Sequence, residues 1–190
     1  MADGTLKVGT ITTSSGSGTI TLGQSGETIT VPSGVTMSGM GKVLQVVSNV
    51  NTYGSQSTTS TSYVDMQTTG GVTWEVSITP SSTSNKILAI FSSQLMGTGN
   101  AQEQRNKCRL MEKIGAGSYA ELTYKMQGGY NGGGATSIQP NDNVHLMYLS
   151  SPSSTDTISY KLQILTQSSS VTLIPNHNSY STAVLMEIVG

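Results

Sequence analysis

Two histidines, one cysteine and ten carboxylates are the acid–base and metal-binding equipment of this 190-residue chain. His145 lies inside an alternating run, VHLMYL, and His177 lies in a turn, PNHNS. Neither stands at the spacing from other His, Cys or acidic residues that a zinc site requires. A serine nucleophile needs a base and a third group to orient that base. Serine is abundant in this chain, but no G-x-S-x-G elbow presents one. The four aspartates, Asp3, Asp65, Asp142 and Asp156, fall in segments that read as loops or tails. Glycoside hydrolysis needs two carboxylates facing each other across a cleft, and the sequence leaves such a pair among the ten acids open. Cys108 is alone, so no disulfide forms within the chain, and it reads as a small buried apolar residue.

The glycine-rich stretch MQGGYNGGGATSIQP, residues 126–140, invites a phosphate-loop reading. That reading fails because no Lys-Ser/Thr follows the glycines and no helix follows the loop. What remains is a surface loop between strands, with Tyr130 and Asn131 able to stack on and hydrogen-bond a sugar or a protein. Tyr119 and Tyr124 join them as candidate contact residues, and Tyr180 would if it shares that end. Tyrosine outnumbers phenylalanine eight to one, which places several of these rings at rims or interfaces. Trp74 reads as core. The expectation is a protein with no enzymatic activity, no cofactor and no metal.

Composition narrows the partners. Formal net charge is -1 and 10% of residues are charged, against a usual share of roughly 25%. No cluster of Lys and Arg is available to neutralise phosphates, so nucleic acid is not an expected partner. No basic face suits an anionic membrane, and no run of 18 apolar residues would make a spanning helix. The first residues, MADGTLKV, carry no apolar signal segment, so synthesis in the cytoplasm without export by the general secretory route is expected. The many Val, Ile and Thr residues favour β structure over disorder.

Thr-Ile-Thr recurs at residues 10–12, 19–21 and 28–30, a step of nine residues filled by Gly and Ser. One isoleucine per short strand cannot form a core against a conformational entropy of about 1–2 kcal/mol per residue. Stacked coils or neighbouring chains must therefore cover it. Three chains pooling Ile11, Ile20 and Ile29 at a common axis would do so. Calcium-binding nonapeptides share the period, but they need an Asp in each turn, and these turns hold Ser and Gly. Residues 1–40 are thus expected to be a trimerising stem.

After Met40 the pattern becomes that of ordinary strands. VTWEVSI places Val72, Trp74, Val76 and Ile78 on one face. KILAIF, residues 86–91, is apolar on both faces and reads as a central strand. KVLQVV, CRLMEKI, VHLMYL, ISYKLQIL, SVTLI and TAVLMEIV supply further strands, the last with Val184, Met186 and Ile188 on one face. Turn clusters such as PSSTSN, GAGS and SPSSTD separate them. GTGNAQEQRNK is given at most one helical turn. The fold class is all-β: a repetitive β-structured stem followed by an antiparallel β-sandwich (jelly roll) over residues 41–190.

Three stretches carry a resemblance: TTSTSYVDM…VTWEVSITPSSTSNKILAIFS at residues 58–92, RLMEKIGAGS at 109–118, and ISYKLQI…STAVLMEIVG at 158–190. Their order resembles the C-terminal jelly-roll heads of bacteriophage fibre and appendage proteins. GTITLGQSGETITVPSGVTM resembles the repetitive collar segments of phage virion proteins. The resemblance implies a homotrimer with a C1q/TNF-like head, carried on a virion beside other virion structural proteins. It leaves two roles: attachment to a host-surface glycan or protein, or a purely structural decoration or adaptor.

Overall fold

The computed structural model describes residues 10–11, 21, 23–30, 43–52, 56–99, 103–130, 141–175 and 179–190. By internal contacts the chain divides into Met1–Met40 and Gly41–Gly190. In the first unit the described residues include a turn at Ser25–Gly26. Glu27 N–H donates to the Gln24 carbonyl (3.1 Å), and Gln24 N–H donates to the Glu27 carboxylate (2.6 Å). Gly23 and Gly26 flank it with φ of 80° and 92°, a left-handed conformation that glycine adopts without strain.

The second unit is an antiparallel β-sandwich. Its strands are β1 (Val43–Asn51), β2 (Val64–Asp65), β3 (Glu75–Ile78), β4 (Lys86–Gly99), β5 (Glu103–Ile114), β6 (Ala120–Tyr130), β7 (Asn141–Ser150), β8 (Ile158–Leu165), β9 (Val171–Pro175) and β10 (Ser181–Ile188). The first sheet runs β1-β10-β4-β7, and β9 continues along β4 where β10 ends. The second runs β2-β8-β5-β6, with β3 beside β2 on the same edge of β8. β4 is central, as its two apolar faces require: it pairs with β10 on one side and with β7 on the other.

The interior lies between the sheets. Trp74, Phe91, Leu95, Leu110, Ile164 and Leu185 are among its largest fully buried side chains. Trp74 meets Phe91 edge-on, with ring centroids 5.5 Å apart, and donates its indole N–H to Asn49 Oδ1 at 2.7 Å. Cys108 is fully buried, and burial pushes its thiol up to about 12. Polar ties also cross between the sheets. Tyr160, on β8, donates to Glu112 of β5 (2.6 Å) and meets the hydroxyl of Ser150 on β7 (3.0 Å).

Glu187 of β10 points inward and is 1% exposed. It accepts from Ser81 N–H (2.6 Å), Ser81 Oγ (2.7 Å), Asn85 Nδ2 (2.6 Å) and Gln45 Nε2 (2.7 Å). Gln45 Nε2 also donates to the Thr79 carbonyl at 2.6 Å. One carboxylate therefore fastens β1, β10 and the β3–β4 connection together.

Several expectations are corrected. Val72 is 66% exposed. It sits in a tight turn in which Thr68 N–H bonds the Val72 carbonyl (2.8 Å) and Gly71 takes φ 75°, so the inward alternation begins only at Trp74. Asp65 and Asp142 lie in strands β2 and β7, not in loops. No helix forms among the described residues of 97–107. β4 continues to Gly99 and β5 begins at Glu103, because ladder pairing with β9 and β6 supplies their backbone partners. A Cβ at Gly99 would run into the Ser170 carbonyl oxygen, so only glycine allows this close approach.

Two outcomes follow. Trp74→Ala should lower unfolding free energy by about 3–5 kcal/mol, read by urea denaturation followed by circular dichroism, because a large buried side chain and its hydrogen bond are both lost. Burial works to raise the Glu187 pKa, but hydrogen bonds from Asn85, Ser81 and Gln45 hold it below the usual carboxylate range. With a folded pKa below the unfolded value of about 4.3, the stability it supplies is full above that pH and is lost as pH falls through the folded pKa. Glu187→Gln should cost about 1–3 kcal/mol at pH 7 and flatten the acid limb of a stability–pH curve below the unfolded carboxylate value of about 4.3.

Candidate assembly surface

The two sheets turn chemically different outer faces to the outside. On the first, strand register stacks the side chains in rows. Val46, Met186, Leu88 and Leu149 form one row, and Ser48, Val184, Ile90 and Met147 form the next. Val50, Thr182, Ser92 and His145 form a third. At the rims of these rows Val46 is 57% exposed, Val50 56%, Met147 67% and Leu149 49%. The four aliphatic and thioether residues between them, on β4 and β10, are partly buried by their neighbours. The row beyond, Ile188 beside Lys86, brings the charged side chain of the outward ladder positions among the described residues.

The origin of this face is in the sequence. In β10 the bulkier set Val184, Met186 and Ile188 points outward, while Ala183, Leu185 and Glu187 point to the interior. In β4 the interior takes Ile87, Ala89 and Phe91 and the outer face keeps Leu88 and Ile90.

The second sheet's outer face is a closed polar network. Lys161 Nζ lies 2.8 Å from Asp65 Oδ1, and Gln163 Nε2 donates to the same oxygen at 2.7 Å. Arg109 donates to Gln163 Oε1 (2.6 and 2.9 Å) and to Glu121 Oε2 (2.9 Å). Its guanidinium lies over the Tyr63 ring, 3.7 Å from the centroid. Burial works to raise the Asp65 pKa, yet the hydrogen bonds and charge of Lys161, with Gln163 and Thr73, hold it below the usual carboxylate range.

The predicted contact residues are spread across this second sheet. Tyr119 ends the β5–β6 turn. Its hydroxyl donates to Glu75, and its ring carries Lys161 at 4.0 Å and Lys113 at 4.9 Å. Burial and the bond to Glu75 push its phenol up. Tyr124 lies within β6, opposite Arg109 in the ladder, and is 56% exposed. The backbone of Tyr130 stands opposite Glu103 at the end of β6. Asn131 lies outside the described residues, as does His177. Tyr180 is 65% exposed, next to β10. Of the stem residues, Ile11 is 53% and Ile29 61% exposed, and Ile20 lies outside the described residues.

Other features offer little chemistry. Among the described residues, no three His, Cys, Asp or Glu side chains gather as a metal site. A hollow of about 270 Å³ is lined by Gln56, Ser57, Gln67, Thr68, Thr69 and Gly71, without a charged group. His145 stands in an exposed position on β7. No helix among the described residues is long and apolar enough to cross a membrane.

No family model matches the chain, and no curated protein matches it in sequence. Among solved structures it is similar to the infectious bursal disease virus VP2 subviral particle, at 17% identity and TM-score 0.36, over 77% of this chain and 37% of that one. It is also similar to the Gt strain of that virus (15% identity, TM-score 0.34, covering 86% and 42%) and to the Gx strain (16%, 0.33, 86% and 42%). The chain thus spans about two-fifths of the length of these structures.

The network on the second sheet makes a separable prediction. Lys161→Met should destabilise the fold by about 1–3 kcal/mol at pH 7, because Asp65 keeps a partly buried charge without its cation. The deficit should shrink as pH falls and Asp65 is protonated. Urea midpoints at pH 7 and at acid pH measure both effects.

Proposed function

We propose that this chain is a non-enzymatic structural component of a virus particle, a homotrimeric bacteriophage fibre or appendage. The observation that carries the reading is the apolar outer face of the first sheet. The sandwich closes a full interior and still turns outward two adjacent rows that are apolar except for Ser48, with Val46, Met147 and Leu149 exposed and the residues between them partly buried. An exposed apolar patch rimmed by polar residues marks an interaction surface. The resemblance of residues 58–92, 109–118 and 158–190 to phage fibre heads supports the viral setting. Residues 1–40 form the docking and trimerising stem, residues 41–190 the head.

In this reading Ile11, Ile20 and Ile29 from three chains share an axis, and closed symmetry shields strand edges. Repeated copies then add weak contacts by avidity. Attachment to a host glycan or protein falls to the tyrosines and Asn131 at residues 119–131, with Tyr124 56% exposed. A second reading, a decoration or adaptor without receptor binding, is favoured by Tyr119. Its hydroxyl and ring are already occupied by Glu75, Lys113 and Lys161, which leaves less of the cluster for a ligand.

Sedimentation equilibrium of the full chain should return three times the chain mass of 19.8 kDa. A monomer at all concentrations would remove the proposal. Binding of the purified trimer to host cells, lost in Tyr124→Ala with the fold intact, separates attachment from the purely structural role.

A further inference from the structure

We infer that the outer face of the β1-β10-β4-β7 sheet is the surface on which copies of this chain pack against one another, and that the opposite outer face stays in solvent. This rests on the oligomeric reading above and assigns the residues that carry it: Val46, Leu88, Ile90, Met147, Leu149 and Met186.

Three observations select a second copy as the occupant. The first is size. Four strands about 4.8 Å apart and eight residues long at about 3.4 Å each give roughly 500 Å² of projected area. With side-chain relief this is of the order of the ~800 Å² per partner of a standard interface. The second is charge. At the outward ladder positions among the described residues Lys86 is the charged side chain, Glu187 and Asp142 standing opposite inward-facing residues, so the outer face offers no complementarity to nucleic acid, to an anionic membrane or to a charged protein. The third is shape and continuity. A flat strand face packs best against another flat strand face, about 10 Å away. One apolar row, Val46, Met186, Leu88 and Leu149, runs unbroken from the β1 edge to the β7 edge, and the next is apolar from Val184 to Met147. In a three-fold ring each copy presents a different patch to each of its two neighbours. The β1/β10 half supplies Val46, Val184 and Met186, and the β4/β7 half supplies Leu88, Ile90, Met147 and Leu149.

The contrast between the two faces strengthens the assignment. The second sheet's outer face places Asp65, Glu75, Arg109, Lys113, Glu121 and Lys161 in mutual ion pairs and hydrogen bonds. Such a network is satisfied in water and gains nothing from a partner. Covering it would desolvate six charges for no new bond.

Two methionines make a built-in probe. Met147 lies on the apolar face and is 67% exposed in the isolated chain; Met126 lies on β6 in the other sheet and is 47% exposed. In the native full-length protein treated with hydrogen peroxide, Met147 should form sulfoxide at least about fivefold more slowly than Met126, since thioether oxidation follows access. In the double variant Val46→Glu, Leu149→Glu, whose sites are solvent-exposed in the single chain, association should weaken by about thirtyfold or more. Met147 should then oxidise as readily as Met126, with the thermal midpoint of the isolated chain kept. As a control, Tyr124→Glu on the opposite face should leave the assembly intact.

An oligomer in which both methionines react alike, or one that the double variant leaves unchanged, overturns the interface while sparing the oligomeric reading. A monomer whose Met147 is protected only inside whole particles assigns the face to a different protein and overturns the second-copy inference. A dimer that the double variant dissociates keeps the interface and removes only the three-fold stoichiometry.

Discussion

A two-sheet sandwich has one interior, and a strand has two faces; that geometric limit governs the rest of this molecule. β4 and β10 place apolar side chains on both faces. Only one face of each can point between the sheets. Alternation at period two then fixes the outcome for a whole row at once: placing Phe91, Ala89 and Leu185 inside forces Ile90, Leu88 and Met186 outside. Slipping the register by one residue would exchange the two sets. It would also carry Glu187 out of its cage of donors and leave Ser81 and Asn85 without the carboxylate they bind. The buried Glu187 therefore works as a register lock. The inner face is specified by a polar residue as much as by the apolar ones.

The division of polar groups follows from the same limit. The inner layer keeps a few hydrogen bonds that span strands or sheets, such as Tyr160 with Glu112 and Trp74 with Asn49. The charged residues are concentrated where a sheet face meets water. On the second sheet, Lys161 and Arg109 reach acids and amides on adjacent strands, and tyrosine rings lie against their ammonium and guanidinium groups. This arrangement holds strands in register on a face that has no apolar packing to do it. On the first sheet, apolar side chains occupy the same positions.

Much of the fold was legible in the sequence because alternation is a local signal. β8 and the run from Trp74 to Ile78 follow it directly, and KILAIF identifies a central strand by having no polar face. The apolar outer face was legible in part: the residues Val184, Met186 and Ile188 share a face in the sequence, but alternation does not say which face is inside. That choice is made by a non-local term, the donors that Ser81, Asn85 and Gln45 bring to Glu187. β6 was hidden for another reason. It is an edge strand whose pairing with β5 is interrupted near Leu110, so its side chains do not alternate in simple order, and its glycine-rich end reads as a loop. The turn holding Val72 and the strand extensions around Gly99 depend on backbone partners far away in sequence, which no short window contains.

The low charge of the chain takes on a meaning in this light. Symmetric association places each residue near its own copies, so any charge at the axis meets the same charge again. A face meant for self-packing must therefore be apolar or internally neutral, and a face kept in water is free to be ionic. The first sheet, with hydroxyls, aliphatic groups and a lysine at its end, satisfies the former condition. The second satisfies the latter by pairing its acids and bases within one copy. Around the Thr-Ile-Thr repeats the fillers are mostly Ser and Gly, with Glu27 the acid among them, and Ile11 and Ile29 are exposed in the single chain.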